Sequence, residues 1–181
     1  TQRKATDRLS KAPTHLFRIL PHVGVCLTGS RADAAAFCQR ARYEAGKWTF
    51  ANGFPCPVSV LAKRMADLAQ VHSQTASFRP LAVVAVFIGT AHDHDTVACY
   101  KVDCAGHYLP YHATAAGPKE QEALNQLEKT WTADNNLDVT TRTTISALGH
   151  VLGSDFRGDE IEVAVVRDGK FVVLQADEIE D

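Results

Sequence analysis

The chain has 181 residues, 45% of them hydrophobic and 22% charged, proportions that fit one folded core and exclude a disordered or low-complexity protein. Its 19 basic and 21 acidic side chains give a formal net charge of −2, which removes the cationic footprint of a protein that works on nucleic acid or on an anionic membrane surface. The longest apolar run, Leu81 to Ile88, is far short of the roughly 20 residues that cross a bilayer, and the polar start Thr1-Gln-Arg-Lys4 does not read as a secretory signal.

Thr14 to Ile19 and Val23 to Gly29 read as two short strands around Pro21-His22. Ser30-Arg-Ala-Asp33 has the spacing of a capping box and is expected to open a helix. In that helix Phe37, Ala41, Ala45 and Trp48 recur on one face until Gly53, Pro55 and Pro57 end it. From Pro57 a second helix is expected, with Leu61, Met65, Leu68 and His72 inward, running until Arg79-Pro80 stops it. Leu81 to Gly89, Val97 to Val102 and His107 to His112 then read as three consecutive antiparallel strands.

Gly117-Pro118 is expected to open a third helix with Ala123, Leu124, Leu127 and Trp131 as its apolar side, and Asp138 to cap a fourth carrying Ile145, Leu148 and Leu152 before Gly153. Glu160 to Val166 and Lys170 to Leu174 flank Asp168-Gly169, a strong hairpin signal. Strands, two helices, strands, two helices and strands in that order predict a layered α/β sandwich, with helices and a second sheet covering the faces of the first. No internal repeat, linker or long charge run marks a second domain, so residues 1–181 read as a single one.

Cys26, Cys38, Cys56, Cys99 and Cys104 are odd in number and lack C-x-x-C spacing, so they read as reduced, packed thiols of an intracellular protein. Three constellations invite chemistry. Thr1 has the residue type of an N-terminal nucleophile whose own amine serves as base, but Gln2-Arg3-Lys4 does not supply the usual neighbours. His92-Asp-His-Asp95 holds four metal-ligand types, yet in an extended segment the histidines and aspartates point to opposite sides, and no metal site is expected. Tyr100, Asp103, His107, Tyr108, Tyr111 and His112 form a polar-aromatic cluster that fits sheet packing or a subunit contact better than an acid–base pair. The turn Thr114-Ala-Ala-Gly117-Pro-Lys119 lacks the repeated glycines of a phosphate loop.

Several segments match one family in order and spacing. They are Gly29-Ser-Arg-Ala-Asp33, Gln39-Arg-Ala-Arg-Tyr-Glu-Ala45, Gln70-Val-His-Ser-Gln74, Arg79-Pro-Leu81, Tyr100-Lys-Val-Asp103 and His112 to Lys119 with Leu127-Glu-Lys129. Together they make the chain resemble the proteasome alpha-type subunits. Thr14 to Ile19, Ser154-Asp-Phe156 and Glu160 to Val163 look most like the alpha-1 branch of the eukaryotic members. The resemblance implies the four-layer αββα sandwich of the N-terminal-nucleophile hydrolases, incomplete at its N-terminus, since such subunits carry a gate segment, a short helix and a first strand ahead of the position of Thr1.

It also implies a noncatalytic structural and entry-control subunit of the core particle, supporting ubiquitin-dependent protein degradation in cytoplasm and nucleus. The implied partners are other alpha subunits in a heteroheptameric ring, beta-ring subunits, and the C-terminal tails of a regulatory particle or activator, without nucleic acid or membrane. No cofactor, metal or catalytic residue is implied, so the threonine hydrolase built on Thr1 stands only as the enzymatic alternative. The pocket lysine of the family aligns with Arg18, which keeps the positive charge but presents a planar fork. The chain departs from the pattern at His72-Ser73, at Ala82 after Arg79-Pro80-Leu81, and at Cys104 after Asp103.

Overall fold

A computed structural model describes residues 1–3, 14–91, 96–153 and 157–180. The candidate metal segment His92 to Asp95 and the motif Ser154-Asp-Phe156 lie outside the described residues. Elements run in the order β1 (Gln2–Arg3), β2 (Leu16–Leu20), β3 (Val23–Gly29), α1 (Arg31–Asn52), α2 (Val58–Gln74), β4 (Val83–Thr90), β5 (Val97–Val102) and β6 (Tyr108–Tyr111). They continue with α3 (Glu120–Thr130), α4 (Leu137–Leu152), β7 (Ile161–Glu162), β8 (Ala164–Arg167), β9 (Lys170–Val173) and α5 (Ala176–Glu180). The content is mixed helix and strand, an α+β protein, and it falls into two compact units.

One unit comprises residues 17–112 with 166–171 and contains the five-stranded sheet β2-β3-β4-β5-β6. Strands β3 to β6 pair antiparallel in sequence order. Because side chains alternate across a strand, Val23, Val25 and Leu27 share a face with Val83, Ala85 and Phe87, and the register places Val25 opposite Phe87 and Leu27 opposite Ala85. That face is buried with Phe37, Ala41 and Ala45 of α1 and Leu61, Ala62 and Met65 of α2. The small alanines let the helices lie close, and Phe37 and Phe87 meet with centroids 6.1 Å apart. Gly53, at φ 77°, ends α1 by donating its N–H to the Thr49 carbonyl at 2.9 Å. The segment 166–171 is tied in by Phe171, whose N–H donates to the Pro21 carbonyl at 2.8 Å.

The other unit comprises residues 1–16, 113–165 and 172–181. Its core is Ile161, Val163 and Val165, packed by Ile145, Leu148, Val172, Leu174 and Ile179. Gln2 and Arg3 pair antiparallel with Glu162 and Ile161. The Asp168-Gly169 hairpin forms as expected, with φ of 52° and 67° at the two turn residues.

Four local expectations differ. Ser30 precedes α1 but makes no side-chain cap bond, and Asp33 bonds elsewhere. Helix α2 ends at Gln74 rather than at Arg79-Pro80, with the Thr75 N–H closing onto the Val71 carbonyl. Helix α3 starts after Lys119, so Pro118 lies ahead of it. Helix α4 is capped by Asn136, whose side chain accepts from the Val139 N–H at 2.9 Å, while Asp138 sits in the first turn as a carboxylate favoured there by the helix dipole. Replacing Asn136 by alanine is therefore expected to cost about 1 kcal/mol in urea unfolding, and Asp138→Ala less than half of that.

Candidate functional site

Arg18 is exposed in the middle of β2, an edge strand of its sheet. Its backbone carbonyl accepts two hydrogen bonds from the Arg42 guanidinium of α1, from Nε at 3.3 Å and Nη2 at 2.9 Å. Arg42 thus ties α1 to β2, while the Arg18 side chain makes no ion pair among the described residues. An exposed fork of five donors is suited to a carboxylate, which it can hold through two parallel bonds.

Asp33 and Arg79, separate motifs in the sequence, form one fastener. The Arg79 guanidinium donates to both Asp33 oxygens, at 2.7 and 2.6 Å, and the Ala82 N–H adds a third bond at 2.9 Å. The Ser30 N–H returns the tie by donating to the Ala82 carbonyl at 2.8 Å. The start of α1 is thereby pinned to the entry of β4. The Arg79 bonds, then the Ala82 N–H, hold the Asp33 carboxyl down at about 2 from an ordinary 3.8, with burial opposing them. Since the folded value lies below the unfolded one, this stabilisation is complete above the ordinary value and is lost as pH falls toward about 2. A thermal midpoint followed from about pH 5 to pH 2 is expected to fall less steeply in Asp33→Asn than in the parent chain.

The polar-aromatic cluster resolves into a turn. Asp103 Oδ1 accepts from the N–H groups of Ala105 and His107, both at 2.9 Å, so its carboxylate closes the β5–β6 connection. Tyr100 and Tyr108 pack against the helix-covered core, and Tyr111 pairs across with Cys99. These contacts agree with sheet packing. Lys119 does not await a phosphate: its Nζ donates to the Val151 carbonyl at 2.7 Å, near the end of α4, where a cation meets the negative end of the helix.

Thr1 is half-buried beside β1, where the Gln2 side chain donates to Glu162 at 2.5 Å. All five cysteines are free. Burial pushes the Cys56 and Cys99 thiols up to about 11 and raises Cys38 as well, which makes them poor nucleophiles. Among the described residues no three His, Cys, Asp or Glu side chains converge as a metal site, and no helix is long and apolar enough to cross a membrane.

A pocket of about 370 Å³ between α1 and α2 was not anticipated. Glu44, its side chain only 3% exposed, forms part of the lining and is held by Arg40 at 2.8 Å and Arg64 at 3.1 Å. The Arg40 and Glu44 spacing of four residues was the available signal; Arg64 joins only through tertiary packing.

The chain matches the family model described as Proteasome subunit over residues 1–166. It is 44% identical to the probable proteasome subunit alpha type-1 of Schizosaccharomyces pombe, over 99% of this chain and 76% of that protein. It is 35% identical to the proteasome subunit alpha type-6 of Caenorhabditis elegans, over 99% and 75%. To the proteasome subunit alpha of Methanopyrus kandleri it is 32% identical, over 92% and 67%.

Proposed function

The chain belongs to the proteasome subunit family, and from that premise we propose that it is a noncatalytic alpha-type subunit of the outer ring of a proteasome core particle. The observation that carries this reading is the alpha-type name shared by relatives that align with nearly the whole chain, two eukaryotic and one archaeal. In this role the chain supplies ring structure and helps to control substrate entry, and the peptide bonds are cut elsewhere in the particle. Residues 1–181 act as one proteasome-type domain with the four-layer αββα arrangement, among alpha and beta subunits in cytoplasm and nucleus.

Mass spectrometry of the native particle from the protein's own cells tests the reading. A particle of many subunits that includes this sequence supports it; a lone small species overturns it. A covalent adduct on Thr1 after treatment with an electrophilic peptide would favour the hydrolase alternative instead.

Arg18 is the residue offered to the terminal carboxylate of an activator tail. Its exposure on β2 and its lack of an ion pair among the described residues support that role. Arg18→Ala is expected to weaken binding of an activator-tail peptide to the particle about tenfold, while Arg18→Lys keeps most of the affinity. Fluorescence anisotropy with labelled tail peptide reads the difference.

A further inference from the structure

The cavity of about 370 Å³ between α1 and α2 has an apolar wall and an uneven polar one. Glu44, Lys47 and Trp48 line it from α1, at the spacing that brings helical side chains to one face, and Val60, Leu61 and Arg64 line it from α2. Leu61 is buried, Val60 is half-buried, and the Trp48 ring is set in place by an edge-to-face contact with Phe54, centroids 6.2 Å apart. Cys56 adds a buried thiol that stays protonated and so counts with the apolar wall.

Both acids of the lining are already matched. Glu44 accepts from Arg40 and from Arg64 Nε, and Asp67 takes the Lys63 ammonium on its two oxygens at 3.2 and 3.0 Å. The donors are not. Lys47 is exposed and makes no ion pair or hydrogen bond among the described residues, and Arg64 commits Nε alone, which leaves its two terminal nitrogens without a partner there. The Trp48 Nε1–H is buried and also lacks an acceptor, although a buried indole N–H usually has one. The cavity is therefore rich in donors and positive charge, short of acceptors, and apolar elsewhere.

We propose that this cavity binds a small single-ring aryl-alkanoate, its ring against Trp48, Val60 and Leu61 and its carboxylate between Lys47 and the free end of Arg64. An arginine fork and a carboxylate match in shape as well as in charge, and the volume lies at the low end of small-molecule sites, which suits one ring and a short chain. A neutral or cationic ligand of the same size would leave the excess donors unanswered. This site is a property of the chain itself and goes beyond the subunit role.

Titration of 4-phenylbutyrate into the full chain, followed by the nitrogen-15 indole signals of its two tryptophans, tests the proposal. The Trp48 signal is expected to move saturably while that of Trp131, in the other unit, stays in place. The uncharged 4-phenylbutyramide is expected to bind about tenfold more weakly, and 4-phenylbutylamine not to bind. Lys47→Glu, at an exposed position, is expected to weaken the carboxylate about tenfold, and Lys47→Arg to retain it. A Trp48 signal that does not saturate, an amide or amine that binds as well as the acid, or an unchanged affinity in Lys47→Glu overturns the site. None of these results touches the subunit role, which native mass spectrometry tests separately.

Discussion

Gly29→Ala is expected to destabilise the protein by about 3 kcal/mol or more. Gly29 stands between β3 and α1 at φ 130°, a conformation that side-chain-bearing residues avoid, and a Cβ there would lie 2.2 Å from the Ala82 carbonyl oxygen. That oxygen cannot retreat freely, because it accepts the Ser30 N–H while the Ala82 N–H is bonded to Asp33. The clash therefore falls on the Asp33–Arg79 fastener. Urea unfolding is expected to show a lower midpoint, and the acid limb of the Gly29→Ala variant should resemble that of Asp33→Asn. An unchanged midpoint would mean that the junction relaxes without loss.

Phe87→Ala is the second large effect, expected at about 3–5 kcal/mol. Phe87 has no exposed surface, sits at the middle of the helix-covered face of β4 opposite Val25, and packs against Phe37. Truncation removes apolar burial and leaves a cavity walled by two helices and a sheet, whose mutual bonding resists collapse. Phe87→Leu should recover more than half of the loss in the same unfolding experiment. An equal loss for both variants would indicate that ring geometry rather than filled volume matters there.

Where the hydrophobic period is decided by one nearby surface, the residues announced the element. Strands β3 and β5 span the segments read from their Val, Leu and Tyr content, and the buried stripe of α1 contains Phe37, Ala41 and Ala45 as its spacing requires. Choices among polar partners were less legible. Ser30 and Asp33 have the spacing of a capping box whether the carboxylate turns back to the helix or outward, and it turns outward to Arg79, 46 positions along the chain. Asn136 and Asp138 are both good caps, and only the backbone path chooses Asn136. Helix α5 escaped notice because Ala176 to Glu180 is one short acidic turn with little periodic signal. Of the candidate site, Arg18 came from family resemblance, and the geometry adds its exposure and the Arg42 brace; the α1–α2 pocket depends on packing that no local pattern encodes.

The neighbour order of the five-stranded sheet has a consequence for how the chain acquires its structure. Each strand of β2-β3-β4-β5-β6 lies beside its predecessor in sequence, so the sheet can grow as a relay, each new strand finding its template already made. The β1–β7 pair is the opposite case, joining Gln2 to Glu162 across almost the whole length, and its loop-closure cost is met only late. During synthesis the sheet and its two helices can form while the later residues are still inside the ribosome, and the second unit must wait for them. Two populations in hydrogen exchange pulsed during refolding, the β3–β5 amides protected first and those of β7 last, would be the signature of that order.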